Sequence, residues 1–257
     1  MKLTQIRKTD YVNWEDYYWN YQFILAKEYY IPLLKEWGYN FSNTKILDIG
    51  CGNGGFTAAF GEYCNITGID IKSFPWKNIK NVSYKTYDIL SKPKKIDTDF
   101  DLIIMRDVIE HIPNKNKLDF IKTALDFGKP NSKLLITFPP FYSPFGLHQQ
   151  VLLKSFIKYI PFLSSISPKV LIPILKVLNE NSNSINNIKD MYNSKMTISN
   201  FESIMNELKL NISQSKFFYS RPSHEIRYKI KTKEVKHSPI LLLKEYYILG
   251  TVYFINK

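Results

Sequence analysis

Four glycines stand close together in the stretch ILDIGCGNGG, which covers residues 46–55. The whole chain has ten glycines, and Gly50, Gly52, Gly54 and Gly55 occupy four of six consecutive positions. Glycine has no Cβ and adopts positive φ readily, so a loop of this composition lets a ligand approach bare backbone. The loop fits both G-x-G-x-x-G and G-x-G-x-G, and either pattern alone is only a weak indication of nucleotide binding.

Two carboxylates near the glycine loop indicate which kind of ligand it binds. The glycines follow a predicted strand and open a predicted helix, which is where ligands bind at the carboxyl ends of parallel strands. Asp70 ends the second predicted strand, twenty residues after Gly50, where it can accept both hydroxyls of an adenosine ribose. Asp48 precedes the loop. An acid there suits a cationic amino-acid group better than a pyrophosphate, which prefers amides and a helix dipole.

Several motifs in order resemble the class I S-adenosylmethionine-dependent methyltransferases: LDIGCGNGGF, GIDIK, YDIL and DFDLIIMRDVIEHI, together within residues 40–142. The resemblance implies S-adenosyl-L-methionine as the cofactor, and a nicotinamide dinucleotide is the alternative. It also implies a set of cofactor-binding residues. Asp48 and the backbone of Gly50, Cys51, Gly52 and Gly54 would face the methionyl end, Asp70 the ribose, Asp88 and Ile89 the adenine, and Met105 and Arg106 the methionyl carboxylate and sulfonium. Ile71, next to Asp70, belongs to the same cofactor-binding set.

The segment RDVIEH follows the fourth predicted strand. In a helical turn, Asp107, Glu110 and His111 would share one face, and two carboxylates with an imidazole can bind a divalent cation. The segment resembles the E-x-x-E-H metal site of some ubiquinone-pathway and small-RNA methyltransferases, with Asp in place of the first Glu. Many members of the family carry D-V-x-E-H without a metal, and our prediction is that this chain has no metal site.

The segment FPPFYSPFGLHQQ, residues 138–150, leaves the fifth predicted strand at its carboxyl end. Three prolines stiffen its path, which places its histidine at the mouth of the pocket. A neutral imidazole is a competent base for a hydroxyl nucleophile near pH 7. We therefore predict His148 as the catalytic base; a fourth metal ligand or an ordinary loop histidine are the alternatives. The segment also resembles those of methyltransferases of surface-glycan and lipid biosynthesis.

Alternating strands and helices position these motifs, which predicts an α/β fold with a mostly parallel, Rossmann-like sheet of seven strands flanked by helices. Residues 14–37 are rich in aromatic side chains and predict one or two helices, with Pro32 at a start or a kink. The predicted strands are Lys45–Ile49, Ile66–Ile71, Val82–Tyr87, Phe100–Met105, Lys133–Phe138, Ile212–Ser220 and Tyr246–Asn256. The predicted helices beyond residue 44 are Phe56–Tyr63, Lys115–Phe127, Val151–Leu163 and Thr197–Leu208, the last capped by Ser199.

We expect a single methyltransferase domain over residues 1–257, with a helical insertion after strand five. Its parts are an N-terminal helical cap (1–43), a cofactor-binding core (44–142), an insertion or lid (143–196) and a C-terminal part that completes the sheet (197–257). Within the insertion, Leu152, Phe156, Tyr159, Ile160 and Leu163 would share one helical arc, Pro168–Leu178 is an apolar segment interrupted by Pro173, and Asn179–Asp190 reads as a polar loop. Residues 151–178 either pack back as a lid or touch a membrane surface through this apolar arc and its lysines.

Composition limits the classes of partner. The net charge is +12, but only four of the 35 cationic residues are arginine, the preferred reader of phosphates and bases, so nucleic acid is not the expected partner. Two cysteines indicate reduced thiols and a cytoplasmic protein, with a peripheral membrane location as the variant of that expectation. No stretch has the composition of a signal peptide or a transmembrane helix.

These features together predict an enzyme, an S-adenosylmethionine-dependent methyltransferase that O-methylates a small-molecule, sugar or lipid-linked acceptor. An RNA 2′-O-methyltransferase and a non-catalytic cofactor-binding interaction protein are the alternatives. The sequence leaves the acceptor and the oligomeric state open.

Overall fold

The structure is a computed structural model that describes residues 2–90, 96–236 and 243–257. Its strands are β1 Lys45–Ile49, β2 Asn65–Asp70, β3 Val82–Thr86, β4 Phe100–Arg106, β5 Gly128–Phe138, β6 Asn211–Ser220, β7 Lys233–Glu234 and β8 Gly250–Asn256. They form one sheet in the order β3-β2-β1-β4-β5-β8-β6-β7. The described sheet therefore has eight strands, and the prediction of seven was wrong because the two-residue β7 is too short to leave a pattern.

Strands β1 to β5 pair in parallel, and β8 enters antiparallel between β5 and β6. The chain builds β1, β2 and β3 outward in one direction and then returns to place β4 on the other side of β1. This reversal is a topological switch point, and the crevice above it, at the carboxyl ends of β1 and β4, is the place where open α/β sheets bind ligands. The glycine loop and RDVIEH both start there.

Most strand bounds agree with the sequence to within one residue, since a buried apolar run bounded by turn residues is a strong local signal. Two strands differ more. β5 begins at Gly128 rather than Lys133, with an irregular register between Phe100 and Leu102 of β4. β8 begins at Gly250, because the preceding residues Lys244–Tyr247 form a short helix.

The described α-helices are α1 Trp14–Leu25, α2 Ile31–Glu36, α3 Gly55–Phe60, α4 Lys117–Leu125, α5 Gln149–Leu152, α6 Pro168–Val177, α7 Ser182–Ser194, α8 Ile198–Glu207, α9 Pro222–Tyr228 and α10 Lys244–Tyr247. None of the helices in the described ranges is long and apolar enough to cross a membrane. A π-helical turn over Ala26–Tyr30 joins α1 to α2. Tyr30 and Ile31 are helical, so the chain continues directly from the π turn into α2, and Pro32 lies just after this junction rather than at a free helix start.

Apolar side chains of the strands point alternately to the two faces of the sheet and form a hydrophobic core on each face. On one face, Ile46 and Ile104 pack with the aromatic side chains of α1, the π turn and α3. On the other face, Leu47 and Met105 pack with α4 and α8. The N-terminal aromatics are therefore mainly core residues, and the same packing lays α1 across the carboxyl edge of the sheet.

The insertion, residues 143–196, has its own core and differs from its prediction. Val151–Leu163 is not one amphipathic helix: α5 ends at Leu152, and a separate 3-10 turn covers Phe156–Tyr159. The physical reason is Glu180, whose carboxylate accepts the backbone N–H groups of Lys154 and Ser155 in place of helix carbonyls. The predicted arc fails accordingly, since Phe156 and Tyr159 are exposed while Leu153 and Ile157 are buried.

The segment Asn179–Asp190 is not a loop, because most of it lies in α7. Asn181 caps this helix by accepting the N–H of Ser184, and Ile185, Ile188 and Met191 recur on its buried face. The helix α6 runs through Pro173 and ends one residue before the predicted bound.

Three helices lie in the described residues of the C-terminal part, 197–236 and 243–257. Thr197, rather than Ser199, caps α8 by accepting the N–H of Asn200. Ser199 instead donates its N–H and hydroxyl to Glu245 of α10. Neither α9 nor α10 was predicted, and α9 follows β6 at the carboxyl edge of the sheet, next to the candidate site.

Candidate active site

The glycine loop turns sharply at the end of β1. Gly50 and Gly54 have φ of +76° and +82°, which side chains with a Cβ rarely adopt. A Cβ on Gly50 would lie 2.4 Å from a Val108 methyl carbon, and one on Gly54 would lie 2.6 Å from the Tyr84 ring. Gly52 also has positive φ, but a Cβ there would meet nothing within 4 Å. The loop therefore packs closely on two sides and presents bare backbone to open space at Gly52.

Side chains of β2, of β3 and of the segment between them form hydrogen bonds with the glycine loop. Asp70 accepts the N–H of Gly52 at 2.9 Å through one oxygen and the N–H of Lys72 at 2.9 Å through the other. The Trp76 indole donates to the carbonyl of Gly52, and the Tyr84 hydroxyl donates to that of Gly54, each at 2.8 Å. A carboxylate has about four lone-pair sites, so Asp70 keeps capacity to accept ribose hydroxyls. The sequence did not indicate Trp76 or Tyr84, whose two rings stack with centroids 5.4 Å apart.

Asp48 lies buried beneath the loop. Its carboxylate accepts the Thr57 hydroxyl at 2.6 Å. Burial raises the pKa of Asp48 to about 6, against the opposing effects of the Thr57 hydrogen bond and the Arg106 charge. A carboxylate that is costly to keep charged in this position would be stabilised by a cationic ligand group.

The remaining predicted cofactor-binding residues near β2 and β3 divide into exposed and buried ones. Ile71, directly after β2, leaves 70% of its surface exposed and offers an apolar wall at the ligand edge. Ile89 is buried in the core under the sheet, and Asp88 is exposed and accepts the N–H of Leu90. Cys51 is also buried, and burial raises the pKa of its thiol, so its backbone is the part that faces the loop.

Met105 and Arg106 point to opposite faces of the sheet. Met105 is fully buried in the core with α4, which leaves only its backbone near a ligand. The Arg106 guanidinium turns toward α1, donates to the side chain of Gln22 and lies 4.8 Å from the centroid of the Phe56 ring. An N-terminal helix and the end of β4 thus meet at a buried cation.

Asp107 forms the strongest ionic contact of the site. One Arg221 nitrogen donates to both Asp107 oxygens at 2.7 and 2.6 Å, and Arg106 donates to the carboxylate at 3.2 Å. Thr137 donates its hydroxyl at 3.0 Å. Burial alone would raise the pKa of Asp107, but the two guanidinium groups outweigh it and hold this pKa well below its usual range. Arg221 stands at the end of β6 and was not predicted.

These contacts bear on the metal alternative. Asp107 has a φ of +55° and lies outside the 3-10 turn Ile109–His111, so the shared helical face with Glu110 and His111 does not form. Arg221 also supplies the positive charge that a cation would supply. Among the residues that the structure describes, no group of three or more His, Cys, Asp and Glu side chains is arranged to hold a metal ion.

Glu110 is buried, and neither carboxylate oxygen has a hydrogen-bond partner. Burial, followed by the charge of Asp107, raises the pKa of Glu110 well above its ordinary value. Lys117 holds this turn by donating to the carbonyls of Ile109 and Ile112 at 2.7 and 2.5 Å. Burial lowers the pKa of Lys117 to about 8.

The structure brings His148 to His111. Their ring centroids lie 5.3 Å apart in an edge-to-face arrangement. His148 has a φ of +54°, a conformation that is costly for a residue with a side chain and is concentrated at functional sites. Burial, followed by the charge of His111, lowers the pKa of His148 to about 4, and burial also lowers the pKa of His111. Both imidazoles are therefore neutral at pH 7.

Charge is unevenly distributed along this edge of the sheet. Asp48, Asp70 and Asp88 lie on the side of β1, β2 and β3. Arg106, Arg221 and Arg227 surround Tyr21 on the side of β4 and β6, and they oppose the rise that burial causes in the pKa of Tyr21. Three of the four arginines of a lysine-rich chain thus share one site.

Comparison with known proteins agrees with this geometry. Two curated relatives match in sequence. The mitochondrial ubiquinone biosynthesis O-methyltransferase of Bos taurus is 30% identical over 112 residues, which are 39% of this chain and 30% of that protein. The phosphoethanolamine N-methyltransferase of Plasmodium falciparum (isolate 3D7) is 35% identical over 108 residues, 37% of this chain and 39% of that protein. The matches span well under half the length of either relative.

A solved structure shares the fold. The magnesium protoporphyrin IX methyltransferase of Synechocystis PCC 6803, crystallised with bound S-adenosylhomocysteine, superposes with a TM-score of 0.51 at 11% identity, over 96% of this chain and 88% of that chain. Residues 18–159, more than half of the chain, match a family described as a methyltransferase domain. These residues include the glycine loop, RDVIEH and the prolyl segment with His148, and they confirm the family predicted from the motifs: the chain belongs to the methyltransferase domain family.

Proposed function

We propose that the chain is an S-adenosylmethionine-dependent methyltransferase that acts on a hydroxyl oxygen of a small, sugar or lipid-linked acceptor. The site fits this cofactor. Gly52 offers bare backbone beside open space, and Asp70 retains capacity for ribose hydroxyls. The buried Asp48 suits the amino group, and the exposed face of Ile71 suits the adenine. When bound, the cofactor supplies a methyl group on a cationic sulfonium.

The observation that carries the choice of acceptor is the separation of charge along the sheet edge. Acids line the side where a cationic cofactor would bind, whereas Arg106, Arg221 and Arg227 together outnumber the two carboxyl groups of Asp107 and Glu110 on the other side. This surplus of positive charge disfavours a protonated amine and favours a hydroxyl that becomes negative as it reacts.

His148 supplies the base in this proposal. Methyl transfer is an in-line displacement, so the site must first align the acceptor, and a base is needed where the hydroxyl loses its proton early. The neutral His148 ring can accept that proton, and the adjacent His111 ring packs against it. The positive φ of His148 and its place directly before α5 define the backbone from which its ring extends toward His111.

The test uses S-adenosylmethionine with a labelled methyl group and three acceptors: a catechol with a short prenyl chain, phosphoethanolamine and a short RNA. We expect label on the catechol oxygen. His148→Ala should lower kcat by about a hundredfold or more without weakening cofactor binding. His224→Ala, which removes another half-buried histidine, is the matched control and should retain most of the activity. Label on phosphoethanolamine or RNA instead would contradict the proposal.

A further inference from the structure

The outer surface of the insertion carries an unusual number of exposed apolar side chains. Val151 and Val177 leave 87% and 81% of their surface exposed, and Tyr159 and Phe156 leave 69% and 67%. The full set within residues 151–177 is Val151, Phe156, Tyr159, Ile160, Phe162, Val170, Ile174 and Val177. Single exposed apolar residues are common on soluble proteins, but a group of this size on one subdomain marks an interaction surface.

These side chains are not a displaced core, because the insertion has a complete core of its own. Leu171 and Leu175 of α6 point inward and pack with Leu153, Ile157 and Leu163. Val170, Ile174 and Val177 are spaced at intervals of four and three residues and therefore form a second apolar stripe along α6, beside the inward face of Leu171 and Leu175. A helix with this second apolar stripe needs a partner for its outer side.

The two exposed sets belong to one surface. The Glu180 carboxylate, just beyond α6, accepts the N–H groups of Lys154 and Ser155 at 2.9 and 2.7 Å. This contact joins the end of α6, with Val177, to the turn that carries Phe156. The outer surface of residues 151–177 is thus a single structural unit.

Charge indicates the partner. Residues 127–179 contain no Asp or Glu, and the charged residues between 151 and 177 are Lys154, Lys158, Lys169 and Lys176. Lysines around exposed aliphatic and aromatic side chains match a bilayer interface, where the lysines contact anionic headgroups and the apolar side chains enter the acyl boundary. Tyr and Phe at the rim suit the same depth.

The surface also adjoins the candidate base. The backbone carbonyl of His148 accepts the N–H of Val151, and the Gln149 side chain donates to the carbonyls of Pro144 and Ile160. Phe162 donates its N–H to Pro144 of the prolyl segment. We propose that the outer surface of residues 151–177 docks on an anionic lipid bilayer and thereby turns the mouth of the site toward lipid-borne acceptors.

The test is co-sedimentation of the full chain with vesicles of phosphatidylcholine alone or with a third of phosphatidylglycerol. We expect binding to the anionic vesicles to be at least about tenfold tighter. Ile174→Ser with Val177→Ser, and separately Lys169→Glu with Lys176→Glu, should each weaken it at least about tenfold. Val12→Ser, at a valine 95% exposed outside the insertion, and Lys80→Glu with Lys115→Glu are the matched controls and should bind as the parent does.

Three results would overturn the proposal. The first is no binding to either vesicle. The second is an effect of the lysine pair alone, with the apolar pair unchanged, which would indicate general attraction of a basic chain. The third is a stable dimer in light scattering that Ile174→Ser with Val177→Ser dissolves. Vesicle binding requires neither cofactor nor acceptor, so its failure would leave the proposed methyl transfer standing, and the reverse also holds.

Discussion

Removing Arg221 should destabilise the protein far more than removing Lys216 of β6, whose side chain is equally buried but whose ionic partners are more exposed. Arg221→Met keeps much of the side-chain volume but leaves Asp107 with only Arg106, at 3.2 Å, as an ionic partner. Breaking a buried ion pair on one side typically costs about 3–5 kcal/mol. Asp107 is 25% exposed and keeps Arg106 and Thr137, so the lower end applies, and we expect a loss of about 3 kcal/mol.

The assay is urea denaturation at pH 7, with Lys216→Met as the control. Lys216 lies on β6, the strand that Arg221 directly follows. Its ion pairs with Glu36 and Glu234 are 3.4 and 3.5 Å long, and the two glutamates are exposed. Such pairs contribute up to about 1 kcal/mol, so Lys216→Met should cost no more than that. Asp107→Asn combined with Arg221→Met should recover part of the loss, since no carboxylate is then left without its partner.

The pH dependence gives a second test of this pair. The pKa of Asp107 is lower in the folded than in the unfolded chain, so its contribution to stability is present above about pH 4 and is lost as the pH falls further. The difference in unfolding free energy between the parent and Arg221→Met should therefore be full at pH 7 and shrink below about pH 4. A difference under about 1 kcal/mol at pH 7, or one that persists unchanged at pH 3, would refute this account of the pair.

Three further predictions concern the loop and two titratable groups of the site. Gly50→Ala should lower the unfolding free energy by about 3 kcal/mol in the same urea assay, because the positive φ and the contact with Val108 both oppose a Cβ. The control is Gly38→Ala, where φ is +80° but no atom lies close to the added Cβ, and it should cost about 1 kcal/mol. The pKa of Glu110 is higher in the folded than in the unfolded chain, so the parent loses stability as the pH rises above about 4. Glu110→Gln should therefore become progressively more stable than the parent between about pH 4 and about pH 8. Equal pH profiles of unfolding free energy for the two proteins would contradict this. His148 should titrate near pH 4 by NMR because its pKa is lowered by burial and by His111, and a midpoint near the ordinary value of about 6.5 would contradict its buried position.

The sequence predicted the β1–β4 region well because its signals are local. Gly50, Gly52 and Gly54 sit between an apolar strand and a helix, and the structure gives all three positive φ. Asp70 ends β2 as expected and contacts the loop at Gly52. The ring contact between His148 and His111 was not predicted, and the role of His148 as base stays a prediction.

The errors arose where distant residues decide the local structure. Glu180 captures the amides of Lys154 and Ser155 and ends a helix that periodicity would continue. In α7, the many asparagine and serine residues indicate a loop by composition, although its buried apolar residues recur at helical spacing. Arg221 contacts Asp107 across 114 positions, and no pattern within either segment indicates the other. The metal alternative depended on a helical turn that Asp107 does not join.

Calorimetric titration of the parent and of Asp70→Ala measures whether the glycine loop binds S-adenosylmethionine with Asp70 on its ribose. The account predicts saturable binding of S-adenosylmethionine, no comparable binding of NAD, and at least about tenfold weaker S-adenosylmethionine binding in the variant, since Asp70 would accept ribose hydroxyls and also holds Gly52. Denaturation of both proteins in urea would confirm that each is folded. Binding of NAD in preference, or no binding of either compound by the folded parent, would contradict the account.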